Sequence, residues 1–60
     1  MQEKIREVAA RIRELRENLG VSMEDMADHL KVSADTYAEY EKGETDIPAS
    51  ILFGIAHRLN

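Results

Sequence analysis

The chain has 60 residues, of which 12 are acidic and eight are basic, giving a net charge of −4, and it contains no cysteine. This length predicts one small domain over residues 1–60 that buries only roughly 60% of its unfolded surface. The composition excludes disulfides and thiolate metal sites. No apolar run approaches the about 20 residues of a membrane-spanning helix, so we expect a cytoplasmic protein without a membrane partner.

The first predicted helix covers about residues 2–19 and ends at Gly20. Its apolar residues recur at alternating steps of three and four, which is the pattern of a helix with one apolar face and one charged face. These residues are Ile5, Val8, Ile12, Leu15 and Leu19. We therefore expect this stripe to pack on the rest of the domain.

Two short helices are predicted next, over about residues 22–30 and 33–42. Ser22 and Ser33 are placed as N-caps, whose hydroxyl oxygens accept an amide of the first turn. Gly43 suits the left-handed residue that follows a helix end. Two short helices joined by a tight turn form a helix-turn-helix, a unit that usually sets its second helix in the DNA major groove. We predict this unit over about residues 22–42.

A fourth helix is predicted from Pro48, which fits a first helical turn because it has no amide proton to satisfy there. Gly54 lies inside this helix and lowers its stability by about 1 kcal/mol relative to alanine. Phe53 lies at the edge of its apolar side and would either cover the first helix or meet a further segment. The predicted core is Val8, Ile12, Leu15, Leu19, Met26, Ala27, Leu30, Val32, Tyr37, Tyr40, Leu52, Ile55, Ala56 and Leu59.

From about Ile12 to Leu59 the segments IRELRENLGVS, MAD, LKVS, YEKG, DIP and IAHRL follow in an order and spacing that resemble the Cro/phage-repressor type of helix-turn-helix domain, also called the xenobiotic-response-element family. The resemblance implies an all-α fold, a compact four-helix repressor-like bundle. The family's fifth helix would begin at Asn60 and is expected to be absent. The chain would then be a trimmed domain, the front part of a longer regulator or an engineered version of one.

The resemblance also implies which residues form a structural ion pair and which contact DNA. In the family an arginine before the first glycine commonly pairs with the glutamate of the E-x-G ending, here Arg16 and Glu41. The family's DNA-reading positions hold Met23, Ala34, Asp35 and Glu39. The full set predicted to lie at double-stranded DNA is Ser22, Met23, Ser33, Ala34, Asp35, Thr36, Glu39 and Lys42.

Charge argues against that assignment. Residues 21–60 carry three basic and eight acidic side chains, a net charge of −5, whereas DNA-binding modules are normally basic because they neutralise phosphates. The leading prediction is the DNA-binding domain of a transcriptional regulator. The alternatives are a protein-interaction module on the same fold that has lost its basic DNA-reading surface, and an engineered scaffold with no evolved partner.

The sequence contains little that supports an enzymatic or metal-binding function. It has no glycine-rich phosphate loop, no cysteine nucleophile and no recognisable Ser/His/acid set, so we predict no enzyme, no cofactor, no metal site and no small-molecule substrate. His29 and His57 are interpreted as isolated from each other. Tyr37 and Tyr40 are interpreted as core residues rather than base-stacking residues. A homodimer through the fourth helix, around Phe53, is a further prediction.

Overall fold

The computed structural model describes residues 2–59, and the side chains of residues 3–59. Four helices occur in this part of the chain: α1 (Gln2–Asn18), α2 (Met23–Leu30), α3 (Ala34–Lys42) and α4 (Ala49–Leu59). The same residues contain no strand, and the molecule measures 28 × 22 × 18 Å. The predicted all-α fold with a helix-turn-helix is confirmed. Within residues 2–59, no helix is both long and apolar enough to cross a membrane.

The N-terminal ends of α2 and α3 are fixed by serine caps. Ser22 Oγ accepts a hydrogen bond from the amide of Asp25 at 3.0 Å, and Ser33 Oγ accepts one from the amide of Thr36 at 3.1 Å. Both serines have extended backbone angles, as an N-cap requires. Pro48 differs by one position from the prediction: its carbonyl accepts the amides of residues 51 and 52, so it is the N-cap of α4 rather than its first helical residue.

Left-handed residues end the first three helices. Gly20 and Gly43 have φ of 72° and 73°, and Lys31 has φ of 60°. The Lys31 amide donates to the carbonyls of Ala27 and Asp28 and so closes α2. The glycines are the residue type expected at such positions, but a lysine there carries the steric cost of its Cβ. The sequence pattern predicted the end of α2 near Leu30 but not the left-handed angle of Lys31.

The core lies between α2, α3 and the inner sides of α1 and α4. Its fully buried centre is formed by Met26 and Tyr37. The other buried apolar residues are Ala9, Ile12, Val21, Ala27, Ile47 and Ile55. Partly buried residues from the predicted core pack around this centre, namely Leu30, Val32, Tyr40 and Leu59. Tyr37 is therefore a core residue, as predicted.

Five predicted core residues are wrong. On α1, Val8, Leu15 and Leu19 are 41%, 53% and 57% exposed, and Leu52 and Ala56 of α4 are exposed as well. The buried face of α1 is rotated by about one residue from the predicted stripe and runs through Ala9, Ile12 and Arg16. The cause is one-sided packing, since α3 covers α1 more extensively than α4 does.

That one-sided packing leaves an open apolar groove between α1 and α4. It has a volume of about 230 Å³. Its walls include Val8, Leu15, Leu52 and Leu59, with Ile55 at its floor. Phe53, on the same helix as Leu52, is 75% exposed. It therefore does not cover α1, which was one of its two predicted roles.

Two helix pairs meet at glycines. A Cβ added at Gly54 would lie 2.5 Å from Leu30 Cδ2, so α2 and α4 approach closely there. A Cβ at Gly43 would lie 3.0 Å from the Cα of Arg6, so the end of α3 rests on the backbone of α1. At Gly43 the absence of a side chain lets the backbones of α3 and α1 meet, whereas at Gly54 it leaves room for the end of the Leu30 side chain.

Candidate nucleic-acid interface

The outer face of α3, defined here as Asp35, Glu39 and Lys42, lies opposite the buried side of the helix. These residues follow one another at steps of four and three, which places them on one side. All three are exposed, whereas Tyr37 on the opposite side has no exposed surface. Asp35, Glu39 and Lys42, which are predicted to contact DNA, are thus available to a partner, while the opposite side of the helix is packed in the core.

A buried network holds α3 against α1. Arg16 Nε and Nη2 donate to the two carboxylate oxygens of Glu41 at 2.7 and 3.2 Å, and Arg16 Nη1 donates to the Val21 carbonyl at 2.8 Å. The side chains of Arg16 and Glu41 are only 8% and 7% exposed. The Tyr37 hydroxyl donates to the same carboxylate. The pair therefore links α1, the loop after it and the end of α3.

The network perturbs the titration of its members. The hydrogen bond to Glu41 raises the pKa of Arg16, although burial alone opposes this shift. Burial, followed by the hydrogen bond to the Glu41 carboxylate, raises the pKa of Tyr37. Both shifts favour the protonated forms of Arg16 and Tyr37 in the folded domain.

The exposed lysine of the outer face is partly engaged within the protein. Lys42 Nζ lies 3.1 Å from a carboxylate oxygen of Glu39. This hydrogen bond is the main cause of a raised pKa of Lys42. An approaching phosphate would have to compete with Glu39 for the ammonium group. The face therefore presents two acids, one of which also occupies its single lysine.

The cap hydroxyls are also largely committed. Ser22 Oγ and Ser33 Oγ serve as the caps described above, and Ser33 additionally donates to Thr36 Oγ1 at 2.9 Å. The hydroxyl proton of Thr36 is not used in that bond, because Thr36 is the acceptor. Of these hydroxyls, Ser33 uses its proton within the protein, whereas the protons of Ser22 and Thr36 are available to an external acceptor.

Met23 corrects one interpretation. It is one of the residues predicted to lie at DNA, but it is only partly exposed and packs against the core. It lines a depression between α1 and α3 together with Ala38 and Arg16. Its position in the first turn of α2 places it at the edge of this depression. Ala34, by contrast, is exposed at the start of α3.

Two further features escaped sequence reasoning. Lys31, the basic residue in the turn between α2 and α3, has a left-handed backbone conformation. His29 and His57 are not isolated from each other, because their rings are nearly parallel with centroids 6.0 Å apart. The described residues contain no group of three or more His, Asp or Glu side chains that could hold a metal ion.

Comparison with known families adds one finding. The sequence profile of a family described as a helix-turn-helix domain matches residues 9–60. This range includes α2, α3, α4 and most of α1, and the match agrees with a Cro/repressor-type domain. Neither the curated proteins nor the solved structures give a match.

Proposed function

The chain belongs to the helix-turn-helix domain family, and on that premise we propose that it is the DNA-binding domain of a transcriptional regulator, with α3 in the major groove of double-stranded DNA. The observation that carries the proposal is the exposed, serine-capped start of α3, backed by the fully buried Tyr37. The role is binding without catalysis, and we expect it in the cytoplasm.

Backbone amides supply the first contacts. The amides at the start of an α-helix lack partners within the helix and carry partial positive charge, which favours phosphate. The starts of α2 and α3 each use one such amide for the serine cap. The remaining first-turn amides, at Met23 and Glu24 and at Ala34 and Asp35, are proposed to meet phosphate. This contact needs no basic side chain.

Side chains of α3 supply the second set of contacts. Thr36 donates its hydroxyl to a phosphate or a base edge, and Lys42 contacts phosphate after leaving Glu39. Asp35 and Glu39 have one favourable role in the groove, which is to accept from the amino group of cytosine. In every other register they repel phosphate. The proposal therefore implies weak, strongly salt-dependent affinity, with a preference for cytosine at the bases that α3 reaches.

The two roles of the acids can be separated by neutralising them. The variant combines Asp35→Asn with Glu39→Gln, and the control combines Glu3→Gln with Glu7→Gln on α1, which changes the net charge equally outside the helix-turn-helix. Fluorescence anisotropy with random and selected duplexes at two salt concentrations gives the affinity and its salt dependence. If Asp35 and Glu39 only repel phosphate, the variant should bind both duplexes more tightly than wild type. If they read cytosine, the variant should bind the selected duplex more weakly.

Salt dependence provides an internal check. Loss of the Glu39 carboxylate releases Lys42, and one added phosphate contact steepens the slope of log K against log salt by roughly 0.9. The α1 control should leave that slope unchanged. If neither wild type nor variant binds any duplex at low salt, DNA binding is refuted.

A second candidate function rests on the same acidic surface. Asp35 and Glu39 are exposed, and Lys42 is paired with Glu39, so α3 presents a negative face that suits a basic protein surface better than a polyanion. In this alternative the domain is a protein-interaction module. It predicts that the Asp35→Asn and Glu39→Gln variant loses a basic partner instead of gaining DNA affinity.

Self-association through α4 accompanies the leading proposal. Phe53 and Leu52 are 75% and 37% exposed, and helix-turn-helix proteins often bind two half-sites as symmetric dimers. We propose that a second copy covers this surface. Sedimentation equilibrium of wild type and Phe53→Glu tests it: a monomer at all concentrations for wild type contradicts the dimer, and a dimer abolished by the substitution supports it.

A further inference from the structure

Two imidazoles lie side by side on neighbouring helices. His29 is in the last turn of α2 and His57 is in the last turn of α4. Their ring centroids are 6.0 Å apart, and the ring planes differ by 14°. Both residues are exposed. The pair is thus open to solvent while its members belong to different helices.

The contact between α2 and α4 fixes the spacing of this pair. Gly54 lies against Leu30, where an added Cβ would be 2.5 Å from Cδ2. His29 is the neighbour of Leu30 in sequence, and His57 lies three residues after Gly54, on the same side of α4. This contact keeps the ends of α2 and α4 near each other, so the backbones that carry the two imidazoles stay at short range.

The spacing matches that of two histidines on one metal ion. A zinc–nitrogen bond is about 2.0–2.1 Å, so two imidazole rings that share one ion have centroids roughly 5–6 Å apart. The rings are stacked and nearly parallel in the structure, so each must rotate about its side-chain bonds to turn a nitrogen towards a common ion, and the exposure of both side chains leaves room for this rotation. Imidazole nitrogen is a favoured ligand of zinc, copper and nickel and a poor one for magnesium or calcium.

We propose that His29 and His57 form a two-histidine site for one divalent transition-metal ion, which bridges the ends of α2 and α4. The protein supplies two ligands and water completes the coordination, because the described residues hold no third histidine or carboxylate in the group. The ion binds the folded domain through residues that are distant in sequence. It therefore raises the unfolding midpoint by an amount that grows with the logarithm of the free metal concentration above the dissociation constant. The site is independent of the DNA-binding proposal.

The test is calorimetric titration of tag-free protein with zinc ion, together with thermal unfolding with and without the metal. The variants are His29→Gln, His57→Gln and the combination of both. One equivalent of zinc should bind wild type, and each single variant should bind at least tenfold more weakly. Zinc should raise the unfolding midpoint of wild type and should not raise that of the double variant.

A relocation control keeps the number of histidines constant. His57→Gln combined with Arg58→His moves the imidazole by one position around α4 and also removes a positive charge, which by itself would favour a cation. Affinity should nevertheless fall to that of His57→Gln. The proposal is overturned if this variant binds zinc as tightly as wild type, if either single variant keeps full affinity, or if wild type binds no more tightly than the double variant.

Discussion

Removal of the Arg16 side chain should cost a large part of the stability of this domain. Arg16 makes a two-point contact with Glu41, at 2.7 and 3.2 Å, and a third hydrogen bond to the Val21 carbonyl. In Arg16→Ala the Glu41 carboxylate, 7% exposed, keeps only the Tyr37 hydroxyl as a partner. Breaking a buried pair on one side costs about 3–5 kcal/mol.

That cost is comparable with the whole stability of a chain of this size. At about 0.05–0.15 kcal/mol per residue, 60 residues give roughly 3–9 kcal/mol. Arg16→Ala is therefore expected to leave the domain at the edge of unfolding at room temperature. Arg16→Lys keeps the charge but cannot form the two-point contact, so its loss should be intermediate and measurable even if the alanine variant does not fold.

The assay is urea unfolding followed by far-UV circular dichroism. Arg13→Ala is the matched control, because Arg13 pairs with Glu17 at 3.4 Å on the same helix with both side chains more than half exposed. An exposed pair of this kind contributes about 1 kcal/mol or less. A structural role for the buried Arg16–Glu41 pair is contradicted if Arg16→Ala lies within about 1 kcal/mol of wild type, or if the two alanine variants lose equal stability.

Three further outcomes are expected, each measured by urea unfolding. Gly20→Ala should lower the free energy of unfolding by about 1–2 kcal/mol, because the φ of this residue is 72°. Gly43→Ala should lower it by about 1–3 kcal/mol more, because the added Cβ would also press on the backbone of α1. Gly54→Ala should destabilise wild type, but in a Leu30→Ala background it should stabilise by up to about 1 kcal/mol, since the clash is gone and helix propensity remains. The raised pKa of Tyr37 stabilises the fold below the ordinary tyrosine pKa of about 10, and this stabilisation is lost as pH rises above it, so Tyr37→Phe should show a smaller decline there.

Each of these expectations has a contrary result. Equal losses at the two left-handed glycines would mean that the contact of α3 with α1 yields at no cost. A stabilising Gly54→Ala in wild type would mean that Leu30 moves aside freely. Identical alkaline profiles for wild type and Tyr37→Phe would show that the buried hydroxyl does not govern the loss of stability above about pH 10.

Local chemistry made most of the helix ends predictable. Ser22, Ser33 and Gly43 act through their own side chain, or through its absence, on a backbone group within one turn, so a short sequence window contains the relevant physics. Lys31 was not predictable in this way. Its left-handed angle is unfavourable for a residue with a Cβ, and nothing in the sequence around it marks the position.

The periodicity of the apolar residues predicted where the helices lie, but not which of their residues are buried. A step of three and four fits Val8 and Leu15 as well as Ala9 and Ile12, and the larger side chains favoured the first pair. The choice depends on which neighbours cover α1, which is a property of the assembled bundle. Ala9 is buried because the glycine at the end of α3 rests against it, a contact between residues far apart in sequence.

The candidate site likewise combines features that the sequence predicts with features that depend on the assembled fold. Which positions face outwards on α3 follows from helical geometry, and Asp35 and Glu39 are exposed as that geometry requires. The pairing of Glu39 with Lys42 and the internal use of the Ser33 hydroxyl depend on side-chain conformations. The pairing of His29 with His57 depends on the approach of α2 to α4. Neither class of contact leaves a signal in a single sequence.

The central claim is that the start of α3 enters the major groove, and backbone-amide NMR tests it most directly. A duplex enriched from a random pool is titrated at low salt into uniformly ¹⁵N-labelled protein. The largest shifts should lie at Ala34, Asp35 and Thr36, with a second set at the first turn of α2. Shifts confined to α1 and α4, or no shifts with any duplex at low salt, would contradict it.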